Sequence, residues 1–176
     1  MTQIDAKFSI PVNPGVYILC MRAPRSRDIV IGKRGTLHAD ENAIYLYIGS
    51  ALNGLRSRLG RHLARSGKNI HWHVDHLLQV LEIFRICYAI TDERKECAIS
   101  IEINQQSNIF KAIDGIGNSD CRSCPSHLYR YLETGTPETL DAGLRAAFDH
   151  AGLQPIIRAI DSGPQTNEPR MHPSME

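Results

Sequence analysis

The sequence has few of the features that mark membrane, secreted or strongly charged proteins. No apolar run approaches the roughly 20 residues that a membrane-spanning helix needs, and the first residues lack the basic and then apolar order of a signal peptide. Only 6% of the residues are aromatic and the formal net charge is +1, so no overall basic field indicates a nucleic-acid partner. We therefore expect a cytoplasmic protein with no membrane partner.

Cysteine is also scarce, and its total of five is an odd number. Three cysteines lie in apolar strand or helix patterns: Cys20, Cys87 and Cys97. A thiol there packs like a small core residue, so disulfides are not expected. The other two stand in a C-x-x-C-x-x-H spacing formed by Cys121, Cys124 and His127. Because no second C-x-x-C pair completes a zinc-binding set, we expect a reduced thiol pair that supports the site rather than structural zinc.

The length and composition fit one ordinary folded domain. With 176 residues, 42% of them hydrophobic and 22% charged, the chain can bury a substantial core. Its strand and helix patterns predict an α+β fold, a small mixed and mainly antiparallel sheet flanked by helices. We divide the chain into an N-terminal extension (1–13), a main domain (14–135), a C-terminal helical extension (136–160) and a proline-rich tail (161–176) that we expect to be disordered.

The clearest strand pattern covers residues 43–48. Aliphatic residues at 44, 46 and 48 alternate with Tyr45 and Tyr47, which predicts one aliphatic and one aromatic face. We expect this strand to end at Gly49. Strands over 15–21 and 28–32 are predicted to precede it in an antiparallel meander.

An amphipathic helix is predicted from Leu55, because leucines recur every four residues at 55, 59 and 63. Gly67 is expected to end this helix. Arg58, His62 and Arg65 lie together beside its leucine stripe. The later elements predicted are a helix over 71–78, a strand over 80–90, a helix over 93–104 capped by Thr91 and Asp92, a loop over 115–125, and a helix from Pro137 to His150 that stops at Gly152.

The local charge is uneven around the first helix. Five basic residues and no acidic one occur from 56 to 68, namely Arg56, Arg58, Arg61, Arg65 and Lys68. Such a cluster is the footprint of a phosphate-binding surface, although a solvated helix face has the same composition. His71, His73 and Asp75 follow at a spacing that points neighbouring members to different faces of a helix. We therefore assign the histidines to substrate binding, or to support of the basic helix, rather than to zinc.

Three of these stretches together resemble the GIY-YIG nuclease superfamily. They are Pro14-Gly15-Val16-Tyr17, Tyr47-Ile48-Gly49-Ser50 and the Leu-x-x-Arg-Leu-x-x-His spacing that begins at Leu55. The run from Pro14 to about Leu128 is similar to a GIY-YIG subfamily known both alone and as an appendage of endonuclease III. Its further marks are Ile31-Gly32-Lys33-Arg34-Gly35, His71-Trp72-His73-Val74-Asp75, Glu96-Cys97, Gly117-Asn118-Ser119-Asp120-Cys121 and Ser126-His127-Leu128.

The resemblance implies a metal-dependent endonuclease that hydrolyses phosphodiester bonds in DNA, with a role in DNA repair or processing. It implies that Tyr17, Tyr47 and Arg58 surround the scissile phosphate and that His62 lies one helical turn beyond the arginine. A guanidinium offers planar, paired donors to phosphate oxygens, so lysine should not fully replace Arg58.

The resemblance also implies one divalent metal on a carboxylate of a later helix. Glu96 occupies that place, with Glu93 and Glu102 as rivals. The expected ion is Mg²⁺, with Mn²⁺ as the alternative, because a single carboxylate with waters and a substrate phosphate is a normal arrangement for magnesium. Two other interpretations stay open: a non-catalytic nucleic-acid-binding module recruited beside repair enzymes, and a small zinc-dependent structural protein built around Cys121.

Overall fold

The computed structural model describes residues 10–32, 35–64, 70, 72–114, 123–132 and 137–160. In these ranges the strands are β1 (Gly15–Arg22), β2 (Arg27–Val30), β3 (Thr36–Ala39), β4 (Ile44–Ala51), β5 (Glu82–Ile90), β6 (Phe110–Ala112), β7 (Leu128–Tyr131) and β8 (Ile156–Ala159). The helices are α1 (Leu55–Leu63), α2 (His73–Leu77), α3 (Glu96–Gln105) and α4 (Pro137–His150).

Six of the strands form one sheet in the order β6-β7-β4-β1-β5-β8, and every neighbouring pair is antiparallel. The predicted α+β class, with a sheet flanked by helices, is confirmed. The predicted meander is wrong, because β1 pairs directly with β4 and β5 while β2 and β3 pair only with each other. Every residue of β1 except Arg22 is buried, and a strand apolar on both faces belongs at the centre of a sheet.

The two faces of the sheet carry different side chains. From β4, Tyr45 and Tyr47 join one core cluster, whereas Ile44, Leu46 and Ile48 join the other. The predicted aromatic and aliphatic faces are therefore confirmed. Such alternation follows from the period of two along a strand, which sends successive side chains to opposite sides.

Helices cover both faces. The aromatic face packs against α1 and α2 through Leu55, Leu59, Val74 and Leu77. The aliphatic face packs against α3 and α4 through apolar residues at helical spacing, which are Ile99, Ile103, Leu140, Leu144, Ala147 and Phe148. The signature tyrosines and the basic helix are thus on the same side of the sheet.

Several predicted boundaries are wrong. β4 continues through Gly49 to Ala51, because Gly49 still pairs with Tyr17 of β1. α3 begins at Glu96, and the Thr91 hydroxyl accepts the N–H of Glu93 in a local turn instead of capping a helix. Strands β6, β7 and β8 were not predicted.

The C-terminal segment contributes to the same sheet and core. α4 spans Pro137 to His150 as predicted, and Gly152 follows it with a φ of 76°. β8 then pairs with β5 at the edge of the sheet. The longest helix, α4, has 14 residues, and no helix in the described ranges combines the length and apolarity that crossing a membrane requires.

Some predictions fall outside the described residues. These are the helix end at Gly67, most of the loop over 115–125, the tail over 161–176 and most of the N-terminal extension. From that extension, Ile10 is described and is 2% exposed, within the core of the aromatic face.

Candidate active site

Tyr17 and Tyr47 come from the two central strands of the sheet. In the register of β1 and β4, Tyr17 lies opposite Gly49 and Leu19 lies opposite Tyr47. The Tyr17 side chain is 3% exposed, whereas Tyr47 is half-buried. Both belong to the core of the aromatic face, so the structure brings the two predicted tyrosines to one side of the sheet.

Gly49 makes room for Tyr17. A Cβ built on Gly49 would stand 2.5 Å from the Tyr17 hydroxyl oxygen and 2.7 Å from its Cζ. No side chain fits at that separation without moving the tyrosine ring. The glycine of the second signature stretch is therefore required by the tyrosine of the first.

His62, on α1, contacts Tyr17. The Tyr17 hydroxyl and His62 Nε2 are 2.8 Å apart in a buried hydrogen bond, and the ring centroids are 5.5 Å apart. His62 is 3% exposed. It points inward because it stands three residues after the buried Leu59, on the same face of α1.

Arg58 lies near both tyrosines and is half-buried. Its guanidinium lies 5.6 Å from the centre of the Trp72 ring, a cation–π distance. Trp72 is itself 47% exposed. The aromatic ring therefore helps to orient the guanidinium of the half-buried Arg58.

The pKa values of the two tyrosine hydroxyls depend on burial and on nearby charged residues. Burial raises the pKa of Tyr47 to about 12, Arg58 opposes this increase, and Asp75 and Glu96 add to it. Burial also raises the pKa of Tyr17 far above its ordinary value, and the neighbouring Tyr47 adds to the effect while Arg58 opposes it. Both hydroxyls are thus protonated at neutral pH.

Glu96 is the first residue of α3 and carries a buried oxygen. Among the described residues, its Oε2 atom has no hydrogen-bond partner, which is costly for a carboxylate unless a cation is bound. A hard carboxylate oxygen suits Mg²⁺, so Glu96 fits the metal site that was predicted. The rivals are engaged elsewhere, Glu93 with Lys95 at 2.9 Å and Glu102 with His150 at 3.1 Å.

Arg61 has an acidic partner inside the protein. Its two terminal nitrogens donate hydrogen bonds of 2.9 Å and 2.7 Å to the two oxygens of Asp75. The Asp75 side chain is 1% exposed, and its Oδ2 also accepts the backbone N–H of Trp72 at 2.9 Å. Arg61 was predicted as a nucleic-acid contact, and in the structure its guanidinium joins α1 to α2.

Sequence analysis named Asp75 only as part of the stretch that begins at His71 and assigned it no role in the site. A further signal was its place between the apolar positions 74 and 77 of a predicted helix, which puts a charge on the inward face. A buried charge needs a partner, but nothing in the sequence identified that partner as Arg61.

The remaining nucleic-acid candidates are only partly described. Arg56 is exposed, and its Nε donates to the backbone oxygen of Ile10 at 2.8 Å. His73 is half-buried at the start of α2. Three others lie outside the described residues: Arg65, Lys68 and His71.

His127 and Cys124 lie close together just before β7. The His127 Nε2 atom is 3.2 Å from the Cys124 sulfur and 3.6 Å from the sulfur of Cys97, which was predicted only as a core residue. Cys121 lies outside the described residues.

A comparison with protein families gave one match. The model described as "Domain of unknown function DUF123" matches residues 16–149, most of the chain. No curated protein and no solved structure matches the chain.

Proposed function

The chain belongs to the DUF123 family of domains of unknown function, which is related to the GIY-YIG nucleases, and on this basis we propose that it is a metal-dependent endonuclease that hydrolyses phosphodiester bonds in DNA. The observation that carries the proposal is the buried Glu96 Oε2 atom, which has no hydrogen-bond partner among the described residues, together with the positive charge of Arg58 near Tyr47. Hydrolysis of a phosphodiester requires positive charge and a bound metal ion close to the oxygens that become negatively charged in the transition state.

Arg58 is proposed to bind the scissile phosphate. It is half-buried, so a bound phosphate would meet its charge in a partly dry environment, where the attraction is stronger than in bulk water. Its stacking on Trp72 limits the number of side-chain orientations that binding must select. The planar guanidinium then offers two parallel hydrogen bonds to phosphate oxygens.

Tyr17 and His62 are proposed to act together as the general base. A neutral tyrosine accepts a proton from water only if it passes on its own proton at the same time. As the water oxygen attacks phosphorus, its proton would move to the Tyr17 oxygen while the Tyr17 proton moves to His62 Nε2, across the 2.8 Å hydrogen bond. The bond from phosphorus to the leaving oxygen breaks, and Tyr47 helps to orient the water.

Glu96 is proposed to hold the metal, Mg²⁺ or Mn²⁺. When bound, the ion would supply positive charge for the oxygen that leaves. Glu96 itself would contribute the buried Oε2 atom as a ligand, and waters and the substrate phosphate would complete the coordination.

DNA is the proposed partner, and DNA repair is the proposed setting. Support comes from Arg58, whose positive charge lies near both tyrosines. The exposed Arg56, two residues earlier on α1, adds a second positive charge to the same helix.

The test is cleavage of labelled duplex, nicked, flap and single-stranded DNA, and of RNA, by the purified chain. We expect at least one DNA substrate to be cut with Mg²⁺, no cutting with EDTA, and no cutting by Glu96→Gln. Cleavage that persists in EDTA would contradict the metal-dependent mechanism.

One observation favours a second candidate, a nucleic-acid-binding module without turnover. The Tyr17 side chain is only 3% exposed and its hydroxyl is already bonded to His62, which would leave it structural. Salt-sensitive DNA binding without cleavage of any substrate in Mg²⁺ or Mn²⁺ would establish this alternative.

A further inference from the structure

Three soft donor atoms meet where the start of α3 approaches the segment before β7. Cys97 Sγ, Cys124 Sγ and His127 Nε2 all lie within 4.8 Å of one another. Cys124 and His127 are each 6% exposed, and Cys97 is half-buried. Cys124 and His127 are neighbours in the sequence, whereas Cys97 lies 30 residues before His127 and is brought to them by the fold.

The spacing of the donors matches that around a tetrahedral zinc ion. With Zn–S near 2.3 Å and Zn–N near 2.0–2.1 Å, a tetrahedral site separates sulfur and nitrogen by about 3.5 Å. The two sulfur–nitrogen distances in the cluster are 3.2 Å and 3.6 Å. Both sulfur–nitrogen distances are therefore compatible with one ion between these atoms.

The chemistry of the three groups suits zinc. Both sulfurs face the Nε2 atom of the same imidazole, and this nitrogen can offer its lone pair to a metal ion. Two thiolates with one imidazole are ligands that Zn²⁺ prefers.

The backbone around the cluster is already fixed. The Ser100 hydroxyl of α3 donates to the carbonyl of Ser126 at 2.5 Å. The carbonyl of His127 accepts the N–H of Ile48 in β4 at 2.9 Å, and the Ser126 hydroxyl accepts the N–H of Leu128 at 2.9 Å. These bonds hold α3, β4 and the histidine segment together, so the three ligands would lose little freedom on binding a metal.

We propose that Cys97, Cys124 and His127 bind one Zn²⁺ ion, with the fourth position open to a further ligand such as water. This ion would join the first turn of α3 to the segment before β7. It is separate from the magnesium proposed on Glu96, which is bound through a hard oxygen. Because Cys97 follows Glu96 in the chain, the zinc would also fix the helix end that carries Glu96.

The first measurement is the zinc content of the full chain. The protein is produced without a histidine tag in medium containing Zn²⁺, dialysed extensively, and analysed by mass spectrometry of the metal. We expect about one zinc per chain in the wild type and in the control Cys20→Ala, whose thiol is buried in the core of the aliphatic face. Cys97→Ser, Cys124→Ser and His127→Gln should each retain much less.

The second measurement replaces zinc with Co²⁺ in the wild-type chain. Cobalt bound by thiolates gives an intense charge-transfer absorption, which should appear on loading and should disappear when Zn²⁺ is added back. This readout needs only the wild type, so it decides the matter even if the ligand variants do not fold.

Wild-type protein with negligible zinc and no thiolate absorption with cobalt would overturn the proposal. Full zinc content in all three ligand variants would also overturn it, because the ion would then lie elsewhere. Neither result depends on whether the chain cuts DNA, so the zinc site and the nuclease activity succeed or fail separately.

Discussion

The hydroxyl of Tyr17 lies directly above Gly49, where a Cβ on the glycine would stand 2.5 Å from the hydroxyl oxygen. The two residues face each other across the central pair of strands. Tyr17 can reach His62 only because position 49 has no side chain. The two signature stretches of the sequence thus form one packing unit, and a change in one should alter the other.

Gly49→Ala should displace the Tyr17 ring. Forcing a methyl group into a packed site usually costs about 1–3 kcal/mol of unfolding free energy, and the displaced hydroxyl should lose its bond to His62. We therefore expect lower stability in urea unfolding together with loss of cleavage. The matched control is Gly60→Ala on α1, where a Cβ would have no neighbour within 4 Å. That variant should gain up to about 1 kcal/mol from better helix propensity; equal stability of the two variants would refute the packing argument.

Arg61→Ala should destabilise the protein because it leaves the Asp75 carboxylate buried without its bidentate partner. Breaking a fully buried pair costs about 3–5 kcal/mol. Arg61 is 32% exposed, so solvent will reduce the cost to about 2 kcal/mol. Asp75→Asn in the same chain should recover part of this loss, and a double-mutant cycle measured by urea unfolding will give the coupling. A coupling near zero would mean that the ion pair does not hold α1 to α2.

The salt dependence of DNA binding should distinguish the basic residues that contact phosphates from those that do not. Arg56→Ala and Lys68→Ala should each reduce the slope of log K against log salt by about 0.9 if each residue contacts one phosphate of duplex DNA. Arg61→Ala should reduce it less, because its guanidinium is bonded to Asp75. Arg145→Ala, on the exposed side of α4, is the control and should leave the slope unchanged. Unchanged slopes in all four variants would show that α1 faces away from the DNA.

Glu96→Gln should abolish cleavage while leaving folding and DNA binding nearly unchanged, since the amide keeps the shape of the side chain but loses its charge. Binding of Mn²⁺ by the free protein, followed by calorimetry, should weaken in the same variant. Glu93→Gln and Glu102→Gln are matched controls, because these carboxylates contact Lys95 and His150 respectively. Full activity in Glu96→Gln, with loss in either control, would show that Glu93 or Glu102 binds the metal instead of Glu96.

The parts of the fold that could be predicted were those with strong local patterns. The alternation around Tyr45 and Tyr47 predicted the two faces of β4, and Pro137 with Gly152 predicted the ends of α4. Short strands were missed because their patterns are weak: β6 has three residues and β8 has four. Their pairing comes from distant parts of the chain, which local periodicity does not encode.

The candidate site was also only partly predictable from the sequence. Tyr17 and His62 were chosen because they match residues of the GIY-YIG superfamily, and the structure joins them by a hydrogen bond. The pairing of Arg61 with Asp75 and the approach of Cys97 to His127 were not foreseen. Both depend on how helices pack against other elements, and a residue's partner across such a contact cannot be read from its neighbours in the sequence.

The central claim is that Tyr17, Tyr47 and Arg58 act on one phosphate, and single-turnover cleavage of the best DNA substrate in Mg²⁺ tests it most directly. Arg58→Ala should slow cleavage on the order of 100-fold or more, as removal of one oxyanion donor does, and Arg58→Lys should restore only part of the rate. Tyr17→Phe and Tyr47→Phe keep the ring, and at least one should lose most of the activity. Tyr17→Phe also removes the buried hydrogen bond to His62, so it should lose about 1–3 kcal/mol of unfolding free energy.

Because the three groups act as a unit in the transition state, adding Tyr17→Phe to Arg58→Ala should slow the reaction much less than the product of the two single effects. The control Arg145→Ala should cleave at the wild-type rate. Normal cleavage by both phenylalanine variants, or effects in the combined variant that simply multiply, would contradict the claim that these residues form one catalytic site.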